Sequence, residues 1–361
     1  MSPPINNIDA DLMRALVSEY LDVLLDGTGQ KAEVREIRIS QRLHLNDKRY
    51  HHLLKLYYST PQGADCKYIW LKFRPSLKRA FELHQYAYEG MSHSKGFIPR
   101  PYFLYEAPAH QHDFIAMEYV TGIPLRVLLA RALGTRRSRT LVSTFRELGY
   151  RMRAFHDMSP LLPGCTLDKA FASARRHVHS CSVLDEAAKN SILRHLATTS
   201  EGMDLTSPLP SIHCHNDWSM RNIICRPDGN TTLIDLDAMQ LPPVNRWYEV
   251  IHFLTNLEGQ VKFAPLLSLN DLSMLAQTFL AGYLANPSRI LPAVELEKLL
   301  YVLKVRYTFG GANRRPLTER VGGPLRRRYL DRLYAALSKG QSGLLSLEEA
   351  YPAVSGEINI L

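Results

Sequence analysis

The feature that most constrains the fold is a change of hydrophobic pattern about one third of the way along the chain. Before that change, apolar runs rich in β-branched and aromatic residues predict strands at 34–40, 51–59, 66–73 and 114–120. One helical pattern, at 77–91, lies between the last two. After Thr121-Gly122-Ile123-Pro124, helical periodicity dominates, with a break at 208–237. This segregation predicts an α+β, bilobal fold with a small antiparallel sheet in the first lobe and a large, mainly helical second lobe.

The domain boundaries follow from the same change of pattern. We predict an N-terminal lobe at 1–118, a hinge at 119–124 and a C-terminal lobe at 125–361. Before the first strand, apolar residues recur at helical spacing from Leu12 to Leu24, without the basic start and continuous apolar core of a signal peptide. The chain therefore begins with a predicted amphipathic helix.

Composition excludes several classes of protein. No apolar run approaches the roughly 18 residues that a membrane span requires. Five scattered cysteines without CxxC spacing predict neither a disulfide framework nor a zinc site, so a cytoplasmic location is expected. The formal net charge is +9, but no nucleic-acid-binding motif is present, and no specific nucleic-acid partner is predicted.

The strongest chemical signal lies in the break at 208–237. His215-Asn216-Asp217-Trp218-Ser219-Met220-Arg221-Asn222 precedes two short apolar runs around a turn, and the second run ends in Asp235. Phosphoryl transfer needs a carboxylate to take the proton of the attacking hydroxyl, and oxygen ligands for Mg²⁺ on the nucleotide. Asp217 and Asn222 are able to supply the base and one ligand, and a hairpin would return Asp235 beside them as the second ligand. A loop that merely caps turns is the alternative.

These residues resemble the catalytic loop and metal segment of the aminoglycoside phosphotransferase and choline-kinase-like superfamily, which has a protein-kinase-like fold. The resemblance covers about 66–256. It implies that Asp217 is the catalytic base, that Asn222 and Asp235 bind Mg²⁺, and that ATP is the phosphoryl donor. The acceptor would be a hydroxyl of a small molecule or glycan.

The resemblance also assigns residues to the nucleotide. Phe114–Leu125 is similar to the family's hinge, where backbone groups from Glu118 to Val120 would meet adenine. Lys72, a basic residue in an apolar strand, matches the family's phosphate-binding lysine, and burying it without a partner would be costly. Its expected partner is Glu82, with Glu89 as the competitor.

One departure from the family concerns the hairpin expected to cover the phosphates. Residues 39–52 contain no glycine, whereas backbone amides approach phosphates most closely where side chains are absent. Arg42, Lys48 and Arg49 would supply charge instead, or form an ordinary basic turn. A non-catalytic nucleotide-binding module and a protein kinase therefore stay open as alternatives, although the chain has Asp235-Leu236-Asp237 in place of a DFG triplet.

The basic excess is concentrated between 314 and 332. This arginine cluster comprises Arg314, Arg315, Arg320, Arg326, Arg327, Arg328 and Arg332. Nearby glycines and prolines, including Gly310 and Gly311, predict a loop up to about Arg326. The cluster favours a neutral or anionic acceptor over a cationic one, and it also permits contact with an anionic membrane surface. A solvated basic face without a ligand is the alternative.

Overall fold

The computed structural model describes residues 10–27, 32–46, 49–92, 96–107, 113–135, 137–240, 243–260, 269–285, 293–312 and 324–345. The chain divides into two compact units, residues 1–121 and 122–361. No helix among the described residues is long and apolar enough to cross a membrane.

The described residues of the first unit form an antiparallel sheet and three α-helices. Its elements are α1 (Ala10–Glu19), α2 (Leu21–Leu24), β1 (Glu33–Asn46), β2 (Arg49–Thr60), β3 (Gly63–Arg74), α3 (Lys78–Gly90), β4 (Pro101–Tyr105) and β5 (Asp113–Glu118). The five strands lie in the order β1-β2-β3-β5-β4. All four predicted strands and the predicted helix at 77–91 are confirmed, and β1 continues six residues beyond the predicted end at Ser40 because it pairs with β2 as far as Asn46.

Alternation along the central strand separates a core face from the face that carries Lys72. Ile69, Leu71 and Phe73 of β3 are buried in a cluster that includes Met13 and Leu16 of α1. Successive strand residues point to opposite faces, so Lys72 lies on the other side of the sheet. Lys72 is 9% exposed, and its neighbours across the strands are His51 and Ile115. The amphipathic N-terminal helix therefore covers the face opposite Lys72.

The second unit is mainly helical, with two small sheets. Its strands are β6 (Ile123–Pro124), β7 (Leu162–Thr166), β8 (Pro208–Ile212), β9 (Ile223–Cys225), β10 (Thr231–Leu233) and β11 (Val244–Asn245). Its α-helices are α4 (Leu125–Gly134), α5 (Val142–Asp157), α6 (Leu167–His179), α7 (Glu186–Ser200), α8 (Arg246–Glu258), α9 (Leu269–Leu284), α10 (Ala293–Ala312) and α11 (Pro324–Leu337). The sheets have the orders β10-β9-β6 and β11-β8-β7.

Two glycines allow α5 and α9 to pack closely against each other. A Cβ on Gly149 of α5 would lie 2.1 Å from the carbonyl oxygen of Phe279, and one on Gly282 of α9 would lie 2.1 Å from that of Arg146. Real Cβ atoms do not approach backbone that closely, so α5 and α9 meet with their backbones in contact. This crossing fixes α5, whose Arg151 donates to the carbonyl of Thr231 in β10 at 3.1 Å.

The expected loop before Arg326 needs correction at its start. Gly310 and Gly311 belong to the last turns of α10, which ends at Ala312. A Cβ at Gly310 would lie 3.1 Å from the His177 imidazole, so glycine permits close packing there without ending the helix. Residues 313–323, which include Arg314, Arg315 and Arg320, lie outside the described part of the chain.

Candidate active site

The loop between β8 and β9 places Asp217 at the centre of a hydrogen-bonded group. Asn222 donates through Nδ2 to Asp217 Oδ2 and to the Asp217 carbonyl, both at 3.0 Å. Arg221 donates to the same Oδ2 at 2.9 Å. The Asp217 side chain is 23% exposed, so it is held in position and still open to a reacting group. A fixed but accessible carboxylate is what a general base requires.

The hairpin β9–β10 brings Asp235 to this loop, as the sequence predicts. The Ile234 amide donates to the Asn222 carbonyl at 2.8 Å, so the chain enters Asp235 directly beside Asn222. Asp235 is exposed and has φ 62°, a conformation that Asp tolerates better than most residues. Nδ2 of Asn222 points to Asp217, so the side-chain oxygen Oδ1 of Asn222 points away from Asp217. A carboxylate and an amide oxygen fit the oxygen preference of Mg²⁺.

The imidazole of His215, at the start of the loop, is in a defined protonation state. Its ring Nε2 donates to the Ile234 carbonyl at 3.0 Å, while Nδ1 accepts from the Asp217 amide at 3.2 Å. Only the neutral imidazole has one donor and one acceptor nitrogen. Complete burial lowers the pKa of His215 to about 4, in agreement with that geometry. His215 therefore links Asp217 to Ile234, the residue between β10 and Asp235.

A buried carboxylate anchors the loop backbone from α8. Glu249, which is 2% exposed, accepts from the amide of Asn216 and, at 3.3 Å, from the amide of His215. Nε2 of His156 on α5 is hydrogen-bonded to Glu249 at 2.8 Å, and the other ring nitrogen of His156 is hydrogen-bonded to the Tyr283 hydroxyl at 2.8 Å. Burial raises the pKa of Glu249 to about 8, and this effect is larger than the lowering of the pKa by the hydrogen bonds from those backbone amides. The loop is thus tied to α5, α8 and α9.

Two further residues beside Asp217 are not apparent from the sequence. His252 Nε2 lies 3.8 Å from Asp217 Oδ1, and the Tyr307 hydroxyl lies 3.3 Å from His252 Nδ1. They come from α8 and α10, at positions far beyond the loop in the sequence. Their only sequence signal is a polar residue within an apolar helical pattern, which most often marks an exposed helix face.

The residues expected to hold the nucleotide lie in the first unit. Lys72 is buried on β3, while Glu82 on α3 is exposed and pairs with Arg79 at 3.2 Å. Glu118 ends β5, where its amide donates to the Arg100 carbonyl at 2.8 Å and its side chain accepts from the Arg100 amide at 3.1 Å. Val120 follows it. The Lys72–Glu82 pair and the adenine contacts of Glu118 and Val120 stay predictions.

Comparison with known proteins identifies the family of the chain. The model of the phosphotransferase enzyme family matches residues 71–290, which is more than half of the chain. The chain belongs to this family. No curated protein matches it by sequence.

Two solved structures are similar to this chain. A protein of Ralstonia eutropha JMP134, described as a candidate aminoglycoside phosphotransferase, superposes with a TM-score of 0.53 at 13% identity over 93% of this chain and 98% of that one. An ethanolamine kinase of Plasmodium vivax gives a TM-score of 0.45 at 12% identity, over 97% and 88% of the two chains. The family and the first of these structures confirm the predicted bilobal, protein-kinase-like fold.

Proposed function

We propose that this phosphotransferase transfers the γ-phosphoryl group of ATP, with Mg²⁺, to a hydroxyl of a small molecule or glycan. The observation that carries the proposal is the convergence of Asp217, Asn222 and Asp235 on one loop and one hairpin. This is the set of oxygen donors that phosphoryl transfer needs.

Asp217 is the proposed catalytic base. As the acceptor oxygen forms its bond to the γ-phosphorus and the bond to the ADP oxygen breaks, the hydroxyl proton passes to an Asp217 carboxylate oxygen. Asn222 holds that carboxylate in position through Nδ2 at 3.0 Å. Asn222 Oδ1 and Asp235 would hold Mg²⁺, which when bound neutralises charge on the nucleotide phosphates.

Lys72, Glu82, Glu118 and Val120 complete the proposal on the nucleotide side. Lys72 would bind phosphate oxygens and pair with Glu82 in the nucleotide-bound protein, and backbone groups from Glu118 to Val120 would bind adenine. The low exposure of Lys72 supports this role, because a buried ammonium requires an anionic partner.

The decisive experiment compares Asp217→Asn with Asp228→Asn. Asp228 lies in the exposed turn of the same hairpin and bonds Asn230, so its replacement controls for the loss of one charge. ATP turnover is measured with Mg²⁺ and a panel of hydroxyl compounds, and ATP affinity by calorimetry. Asp217→Asn should lower kcat by about 10²–10⁴-fold with ATP affinity unchanged, since a general base contributes about that much. Equal turnover in both variants would refute the assignment of the base.

Asp235→Asn tests the metal site separately. It should remove the Mg²⁺ dependence of ATP binding, because the carboxylate is the stronger of the two proposed ligands. Calorimetric titrations of ATP with and without Mg²⁺ measure this. If wild type binds ATP and Mg²⁺ but never turns over any hydroxyl compound, the chain is a non-catalytic nucleotide-binding module instead.

The Lys72–Glu82 pair is tested by a double-mutant cycle with Lys72→Met and Glu82→Gln. If the two charges pair in the nucleotide-bound protein, the loss of either one removes the same interaction, so the double variant should lose less ATP affinity than the sum of the single variants. Glu89→Gln serves as the matched control. If Lys72 is coupled to Glu89 and not to Glu82, Glu89 is the partner of Lys72.

A further inference from the structure

A half-buried group of aromatic and basic side chains adjoins the proposed base. This aromatic–arginine patch consists of Arg221, Tyr248, His252, Arg306 and Tyr307. It lies within the second unit, where Arg221 comes from the loop, Tyr248 and His252 from α8, and Arg306 and Tyr307 from α10. Nothing in the proposed transfer of the phosphoryl group uses it.

The patch is continuous from Asp217 outward. His252 lies 3.8 Å from one Asp217 oxygen and Arg221 lies 2.9 Å from the other. The rings of His252 and Tyr307 are 5.5 Å apart, those of Tyr307 and Tyr248 are 5.6 Å apart, and the Arg306 guanidinium lies 5.6 Å over the Tyr248 ring. The base, three rings and two guanidinium groups therefore form one connected surface.

The charge of this surface is positive at neutral pH. It contains the two guanidinium groups, against the single carboxylate of Asp217. Burial lowers the pKa of His252 and raises that of Tyr307 to about 12, so neither ring adds a charge. A cationic acceptor would meet net repulsion here, whereas an anionic acceptor would meet attraction.

Arg221 has donors to spare for a ligand. Its side chain is 66% exposed, and the described contact with Asp217 involves one of its nitrogens. A guanidinium carries five N–H donors in a planar fork that matches a carboxylate or a phosphate. Because the acceptor hydroxyl must reach Asp217 to lose its proton, a group that already contacts Asp217 is within reach of the acceptor.

We propose that the aromatic–arginine patch is the acceptor site and that the acceptor is an anionic hydroxyl compound bearing a carboxylate or a phosphate. Arg221 and Arg306 bind the anionic group, and the Tyr248 and Tyr307 rings pack against the carbon skeleton. This inference rests on the proposed function for the identity of the transferred group, but its binding chemistry does not require turnover.

The test measures binding without ATP, so that it is independent of catalysis. Calorimetry compares four small probes: tartrate for a carboxylate, inorganic phosphate for a phosphate, erythritol as a neutral polyol and ethanolamine as a cation. The proteins are wild type, Arg221→Ala, Arg306→Ala and the control Arg194→Ala, which removes an exposed arginine from α7. Circular dichroism checks that each variant is folded.

We expect at least one of the two anions to bind wild type and Arg194→Ala alike. Its dissociation constant should rise at least tenfold in Arg221→Ala and in Arg306→Ala, while erythritol and ethanolamine bind at least tenfold more weakly than the anion to wild type. Tartrate and phosphate distinguish a carboxylate acceptor from a phosphorylated one. If Arg221→Ala loses binding and Arg306→Ala does not, the proposal that both arginines of the patch bind the anion is wrong.

Two further outcomes contradict the inference. If ethanolamine binds more tightly than either anion, or if neither anion binds, the acceptor is not anionic. ATP turnover in the same wild-type sample separates this inference from the proposed function. If an anion binds through both arginines but no hydroxyl compound is turned over, the anionic acceptor site is supported and the proposed phosphotransferase activity is contradicted. If only cationic hydroxyl compounds are turned over, the activity is supported and the anionic acceptor site is contradicted.

Discussion

At the scale of single residues, the neutral state of His215 makes the active-site loop sensitive to acid. The pKa of His215 is about 4 in the folded protein against an ordinary value of 6.5, because burial disfavours the cation. The folded protein then binds fewer protons than the unfolded chain between those values. The stabilisation is complete above pH 6.5 and is lost as the pH falls to 4 and below, and the shift corresponds to about 3 kcal/mol.

We therefore predict that the stability difference between wild type and His215→Asn is pH-dependent. The difference in the free energy of unfolding should be largest above pH 6.5 and should shrink by about 3 kcal/mol on acidification to pH 4. Urea titrations across this range measure it, with the exposed His179→Asn as the control. A constant difference would show that His215 has the same pKa in both states.

Glu249 and Glu258 form a matched pair for testing the backbone anchor. Both are buried on α8, but Glu249 accepts from the active-site loop whereas Glu258 pairs with Lys304. Each Gln variant should lower the melting temperature, because each breaks a buried polar contact. Only Glu249→Gln should also lower kcat, by about tenfold or more if one lost amide bond costs about 1.5 kcal/mol in positioning. Equal kcat in the two variants would assign Glu249 a structural role alone.

The proximity of the three candidate site residues could be predicted from the sequence, whereas the residues that hold their loop in place could not. Asp217, Asn222 and Asp235 lie within 19 residues, and a hairpin is a local structure that apolar runs and a turn indicate. Glu249 is bonded to His156 of α5, which is bonded to Tyr283 of α9, and His252 of α8 lies near Asp217. Such contacts depend on the packing of separate helices, which periodicity does not specify.

At the scale of elements, the crossing of α5 and α9 determines how firmly His156 and Tyr283 support the loop. Gly149→Ala or Gly282→Ala would each place a Cβ about 2.1 Å from a backbone oxygen of the other helix. Each should cost at least about 1–3 kcal/mol, the usual cost of overpacking, because backbone has to move. The double variant should cost less than the sum, since one separation of the helices relieves both clashes.

Gly134→Ala provides the control for that prediction. Gly134 ends α4, and an added Cβ would have no neighbour within 4 Å, so its replacement should change stability by no more than about 0.5 kcal/mol. Thermal and urea unfolding of the four variants give the comparison.

The helices themselves were predictable from periodicity, but the tight crossing was not, because a glycine within a helical pattern also fits a simple helix end.

At the scale of the whole molecule, the excess of 44 basic over 35 acidic residues creates a long-range field that acts on anions before contact. The fold was predictable at this scale, because strands and helices are segregated along the sequence. The field of the arginine cluster depends on side-chain positions, and the part of the cluster at Arg314 and Arg315 lies outside the described residues. Its contribution has to be measured through salt dependence.

The final prediction separates this field from direct contact. The dissociation constant of the binding anion, tartrate or phosphate, should rise with NaCl in wild type, since the Debye length shrinks from about 10 Å at 0.1 M to about 3 Å at 1 M. Arg314→Ala with Arg315→Ala should reduce the slope of this rise and leave binding at 1 M NaCl unchanged, because only the long-range attraction is lost. Arg221→Ala should weaken binding at every salt concentration, because it removes a direct contact. If the double variant weakens binding equally at low and high salt, Arg314 and Arg315 contact the anion themselves, and the long-range interpretation is wrong.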